Sequence, residues 1–171
     1  MDIGKVKEFL ETVRDTNSNL YVNPKNEPMT PEELDNNLSR FGKSLGLALV
    51  TGRDVNKIRT SSEEVQLAKS SLGKDKYEIW NIFLYCTEQL YEKDNKGLYL
   101  NAFKRNIRLD LMKLQVITER IFTTAYEETN RKVAESNRPE AIDHFLYDAI
   151  NTNPDYQSLI ALNQALLDNK I

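Results

Sequence analysis

The chain has 171 residues, with 23 Lys plus Arg against 26 Asp plus Glu, one His, one Cys, 40% hydrophobic and 29% charged residues. A polypeptide of this size buries about 70% of the surface its unfolded form exposes, so stability needs neither a disulfide nor a metal, and no cofactor is expected. The net charge of −3 supplies no overall attraction to nucleic acid or to an anionic membrane, which leaves only local patches to act on either.

Ile3, Val6, Phe9, Leu10 and Val13 recur at helical spacing with charged residues between them, predicting an amphipathic N-terminal helix over about 2–15. The same charges deny this segment the continuous apolar core of a secretory signal. A long loop, 17–29, follows with two prolines and four asparagines, and Leu20, Tyr21 and Val22 in it can anchor it onto the body. Thr30-Pro-Glu-Glu is a helix start: Thr30 caps, Pro31 suits the first turn, and Glu33 completes a capping box. Leu34, Leu38, Phe41, Leu45 and Ala48 carry that helix to about Thr51. Gly42 and Gly46 lie one turn apart inside it and cost about 1 kcal/mol each in helix propensity. Close approach of another helix compensates for them, or a ligand cleft above the glycines does.

A weaker helix runs from Val55 to Leu72, split near Thr60-Ser-Ser-Glu, which is itself a capping sequence. From Lys74 to Glu92 apolar residues cover more than half of the helix circumference, with Trp80 as a core anchor. Cys86 lies in the same run; a single thiol among apolar neighbours reads as buried and in a reducing compartment, which points to a cytoplasmic protein. No apolar stretch approaches the roughly 20 residues that span a bilayer.

The segment 98–135 contains neither Gly nor Pro, and Leu100, Phe103, Ile107, Leu111, Leu114, Ile117, Ile121 and Ala125 form one apolar stripe along it. Leu98, Ala102, Leu109, Met112 and Val116 form a second stripe roughly opposite, so a long central helix buried on two flanks is expected. At about 1.5 Å per residue such a helix reaches roughly 57 Å, against a diameter near 40 Å for a compact chain of this length. It either breaks, near the β-branched pair Thr123-Thr124, or projects to meet another subunit. Pro139 and Asn153-Pro154 mark the starts of two further helices. With no run of period-two alternation, the fold class is all-α, a single domain of six to seven helices around the long central one.

Between Lys93 and Lys113 six basic residues outnumber two acidic ones, with Tyr99 and Phe103 interleaved. Lys104 and Arg108 share a helix face there, and with Lys96 they form a candidate surface for nucleic acid, cations for the phosphates and aromatic rings for the bases. The only histidine, His144, lies six residues after Arg138. This Arg-x5-His spacing resembles the short signature of the HEPN ribonucleases, small helical domains that cleave RNA as dimers. The resemblance implies that Arg138 steadies phosphate charge while His144 moves a proton. It covers seven residues, Pro139 stands where that family usually carries a polar residue, and Arg138-Pro139 also reads as a plain helix start. No metal centre is expected: Glu32-Glu33 and Glu63-Glu64 belong to helix first turns and Glu127-Glu128 to a solvated surface.

The overlong two-faced helix and the shortage of catalytic side chains point to a non-enzymatic interaction module. It would act as an adaptor, accessory subunit or inhibitor through protein contacts, self-association among them. A nucleic-acid-associated accessory protein is the alternative, and a HEPN-like ribonuclease the second.

Overall fold

The computed structural model describes residues 2–15, 25–30, 32–33, 66, 70 and 97–171. Gly42, Gly46, Trp80, Cys86 and Lys96, and the helices expected between Leu34 and Glu92, lie outside the described residues. Those described are mostly helical and include no strand: α1 (Ile3–Val13), α2 (Leu98–Lys104), α3 (Leu111–Ser136), a 3-10 turn (Pro139–Ala141), α4 (Ile142–Asn151) and α5 (Pro154–Leu167). The chain is all-α in this part. No helix among the described residues is long and apolar enough to cross a membrane.

Local chemistry explains most of these boundaries. The Asp2 side chain accepts from the Lys5 amide and caps α1, which turns Val6, Leu10 and Val13 inward. Thr30 and Glu33 form the expected reciprocal capping box, the Thr30 amide donating to Glu33 Oε1 at 3.3 Å and the Glu33 amide to Thr30 Oγ1 at 3.1 Å. Asn153 caps α5 by accepting from the Asp155 amide at 2.9 Å and the Tyr156 amide at 3.2 Å, with Pro154 opening the first turn.

The segment expected as one long helix is two. The helix does break, but over Arg105–Asp110 and not near Thr123-Thr124, which sit exposed inside the uninterrupted α3. Asn106 is left-handed, with φ 61°. The Ile107 amide donates to the Ala102 carbonyl at 2.9 Å and the Asn106 amide to the Phe103 carbonyl at 3.0 Å, the paired bonds of a Schellman ending. Asparagine tolerates the left-handed region through its short polar side chain, so it ends a helix where a glycine is more usual. α5 ends in the same way at Asn169, φ 54°, with the Lys170 amide on the Ala165 carbonyl and the Asn169 amide on that of Leu166.

The link after α2 is held from outside. Asp15 donates its amide to the Arg108 carbonyl and Asp110 donates to that of Val13, both at 2.8 Å, so the end of α1 pairs with the link as an antiparallel bridge. The Tyr99 hydroxyl, in a side chain only 1% exposed, donates to the Leu109 carbonyl at 2.6 Å.

One apolar cluster joins α1, α2, α3 and α5 through residues that include Leu10, Val13, Leu98, Leu109, Leu114 and Leu162. Of the stripe expected inward on α3, Leu114, Ile117, Ile121 and Ala125 are buried. Of the opposite stripe, Leu98, Ala102 and Leu109 are buried as expected, the first two on α2 and the third in the link, whereas Val116 on α3 is 57% exposed, because the six-residue break resets the helical register. Two buried threonines, Thr118 and Thr129, satisfy their hydroxyls on the carbonyls four residues earlier, each at 2.7 Å. α3 and α4 share the most extensive helix contact among the described elements, and Lys132 bridges them to Asp148 at 3.3 Å. Among the described helices, α5 is in substantial contact with each of the other four.

Candidate functional site

The residues read as a nucleic-acid surface are separated by the helix break. Lys104 ends α2 and Arg108 lies in the link, so the four-residue spacing that put them on one helical face no longer applies. Tyr99 is buried with its hydroxyl committed to Leu109, which takes its ring away from any bound base, and Phe103 is half-buried against the core. Arg105, between them, donates from Nη1 to the Leu166 carbonyl at 2.6 Å and so caps the C-terminal end of α5.

Arg138 precedes the 3-10 turn and His144 lies in the first turn of α4; both are exposed. The Arg138 guanidinium donates to Glu140 at 3.4 Å, and the Glu140 carboxyl is held below its usual range, first by its own backbone amide and then by Arg138. The His144 ring lies 5.9 Å from that of Phe145, tilted by 55°. Arg138 is thus engaged with a carboxylate, and it occupies the position that starts the turn. Among the described residues, no three His, Cys, Asp or Glu gather in a group able to hold a metal ion.

Geometry instead singles out Phe9. Half-buried on α1 beside the inward Val6 and Leu10, it lines two open grooves. One, of about 420 Å³, lies between α1 and the start of α5 and is lined by Lys5, Val6, Phe9, Pro154, Gln157 and Ala161, among others. The other, of about 560 Å³, lies between α1 and α3 and is lined by Phe9, Thr12, Lys113, Val116, Ile117, Arg120 and Asp155. Its lining is mostly apolar and includes the cations Lys113 and Arg120. Arg120 makes a two-pronged bond to Asp155, Nε to Oδ2 at 2.7 Å and Nη2 to Oδ1 at 2.9 Å, which ties α3 to α5. That bond, and then the charge of Asp155, raises the pKa of Arg120 further. Lys113 is exposed and its side chain makes no ion pair among the described residues.

Sequence periodicity assigned Val116 to a buried flank. A signal against that was present in three of its four helical neighbours: Lys113, Glu119 and Arg120, at three before, three after and four after, are charged, and only Met112, four before, is apolar. A valine with three such neighbours fits an exposed position better than a core one.

Comparison with protein families, with curated proteins and with solved structures finds no match to this chain. The functional reading therefore rests on its own residues and their geometry.

Proposed function

We propose that the chain is a non-enzymatic helical interaction module, a bundle of six or seven helices. It acts as an adaptor, accessory subunit or inhibitor through protein contacts, in the cytoplasm. The observation that carries this reading is Val116, 57% exposed and lining an open groove together with Phe9 and Ile117. An exposed β-branched side chain in a mostly apolar groove, with the Lys113 ammonium also in its lining and in no ion pair among the described residues, suits an amphipathic partner helix. Such a helix would set one apolar anchor against Val116 and an acidic group toward Lys113.

The test is co-purification from native extract, comparing the wild-type chain with Val116→Glu. Because Val116 is exposed, the substitution is expected to change folding stability by no more than about 0.5 kcal/mol, while a carboxylate in the groove removes the bound protein. Identical partners for the two chains, or none above the bare matrix, would overturn the reading.

A further inference from the structure

The charges on α3 run against its own dipole. A helix favours acidic side chains in its first turn and basic ones in its last, yet Lys113 stands in the first turn of α3 and Glu135 in the last, with no acid in the first turn and no base in the last. The same order continues along the face turned away from the core. Lys113, Val116, Arg120, Thr123, Glu127, Arg131 and Ala134 follow in steps of three and four and are all exposed. Before Thr123 the charges of this stripe are positive only, and its first acid, Glu127, comes a turn later. Lys113 and Glu127 are in no ion pair among the described residues. Arg120 is held by Asp155 through Nε and Nη2, which leaves Nη1 to donate to a second carboxylate. α4, bridged through Lys132, lies on another side of α3 and leaves the stripe open.

We propose that this face pairs with the same face of a second copy of the chain, the two α3 helices lying antiparallel about a two-fold axis between Thr123 and Thr124. The proposal rests on the reading of the chain as a protein-binding module and names one partner and the surface it uses. A two-fold contact must be complementary to itself. Here the reversed charge order supplies that property. Arg120 and Glu127 lie equally far from the axis on opposite sides of it, so Arg120 of each copy stands level with Glu127 of the other. Lys113 comes level with the last turn of the other α3 and its Glu135, and Val116 comes within a turn of Ala134. The short side chains of Thr123 and Thr124 sit where the two backbones approach most closely.

The like charges that this register brings level are already answered. Arg131 comes within a turn of Lys113, but it is held by Glu135 at 2.9 Å and by Glu128 at 4.0 Å in its own copy. Glu119 and Glu128 stand level across the axis but project from opposite flanks of the helix, roughly 180° apart at about 100° per residue. Antiparallel packing also opposes the two dipoles, and each wrongly signed helix end then meets the opposite end of its partner. A contact one helix wide and about 33 Å long is at the small end of specific interfaces, so the pair exchanges with concentration.

Sedimentation or light scattering between about 1 and 300 µM is expected to show the mass rising from 19.8 kDa toward twice that value, with a Kd on the order of 30 µM. Glu127→Lys turns two attractive contacts into two repulsive ones and is expected to weaken pairing roughly 30-fold, with an unchanged thermal melt. Glu135→Lys weakens it less, and adding Lys113→Glu restores it. Those two positions are about 33 Å apart on one helix, so the restoration has to come from a second copy. Thr124→Cys is expected to crosslink with a short bismaleimide far above the wild type, whose only cysteine is Cys86. A strict monomer at the highest concentration overturns the proposal. So does a dimer that Glu127→Lys leaves intact, that Lys113→Glu fails to restore in the Glu135→Lys chain, or that Thr124→Cys does not crosslink. Neither Glu127 nor Glu135 lines the Val116 groove, which keeps the two readings apart. A monomeric wild type that still captures its partner from extract removes the self-contact alone; a wild type that pairs but captures nothing else removes the groove reading and leaves the α3 contact standing.

Discussion

The junction between α4 and α5 and the junction between α2 and α3 both turn the chain, by different means. At the first, everything needed lies within four residues: Asn153 accepts from two amides of the next turn, and Pro154 supplies the first helical φ and lacks the amide that would go unsatisfied. At the second, Asn106 permits the turn without compelling it. The turn is fixed by Tyr99, whose hydroxyl holds the Leu109 carbonyl, and by the end of α1, which pairs with Arg108 and Asp110 from far away in the sequence. A helix stop can thus be a local event or a tertiary one, and only the first kind is written where it acts.

The difference is testable by removing the tertiary lock. Tyr99→Phe keeps the ring and withdraws one donor from a buried carbonyl, which is expected to cost about 1–3 kcal/mol. Urea unfolding measures the loss, and hydrogen exchange locates it. If the lock acts as described, the Asp15 and Asp110 amides lose protection together, although they belong to opposite ends of the bridge. A cost below about 0.5 kcal/mol, within what surface substitutions do, would mean that the link after α2 holds itself.

That distinction also accounts for what could be read in advance. The Thr30/Glu33 capping box and the α4–α5 boundary announce themselves through side chains that bond to neighbouring backbone, the turn at Pro139 through the fixed φ of its proline, and the N-terminal helix through its apolar spacing. The break over Arg105–Asp110 was hidden, because without Gly or Pro the apolar spacing ran on through Ile107 and Leu109, and both face the core for reasons unrelated to a continuous helix. The misplacement of Val116 follows from the same cause. A six-residue interruption rotates everything after it, so a stripe extrapolated from Leu98 and Ala102 points the wrong way by residue 116. The Phe9 grooves were not legible at all, since they need α1, α3 and α5 brought together.

Asn106 itself sharpens the contrast. If its role is to permit a left-handed residue, the side chain matters only through what it allows. Asn106→Ala is then expected to destabilise by about 1–2 kcal/mol, the cost of a Cβ in that region without a polar side chain to offset it. Asn106→Gly is expected to be nearly neutral, because glycine enters the region freely. Thermal melts of the two variants check this; equal losses would show that the asparagine side chain makes a contact of its own.

The smallest effects come from one change made at both ends of α5. At Asn153 the functional atom is Oδ1, which aspartate retains, and the added charge faces the positive end of the helix dipole. Asn153→Asp is therefore expected to stabilise by about 0.3–1 kcal/mol. At Asn169 aspartate still tolerates the left-handed backbone, but its charge lies at the negative end, so Asn169→Asp is expected to destabilise by about the same amount. The pH dependence separates the two. At the N-terminal end the dipole lowers the introduced carboxyl below the unfolded value of about 3.9, so the gain is present above that pH and is lost as pH falls through the folded value. At the C-terminal end the folded value is raised, so the penalty sets in as pH rises through it and is absent below about 3.9. Unfolding curves at pH 3 and pH 7 read both signs, and two variants that shift in the same direction would show that contacts other than the dipole decide the effect at one end.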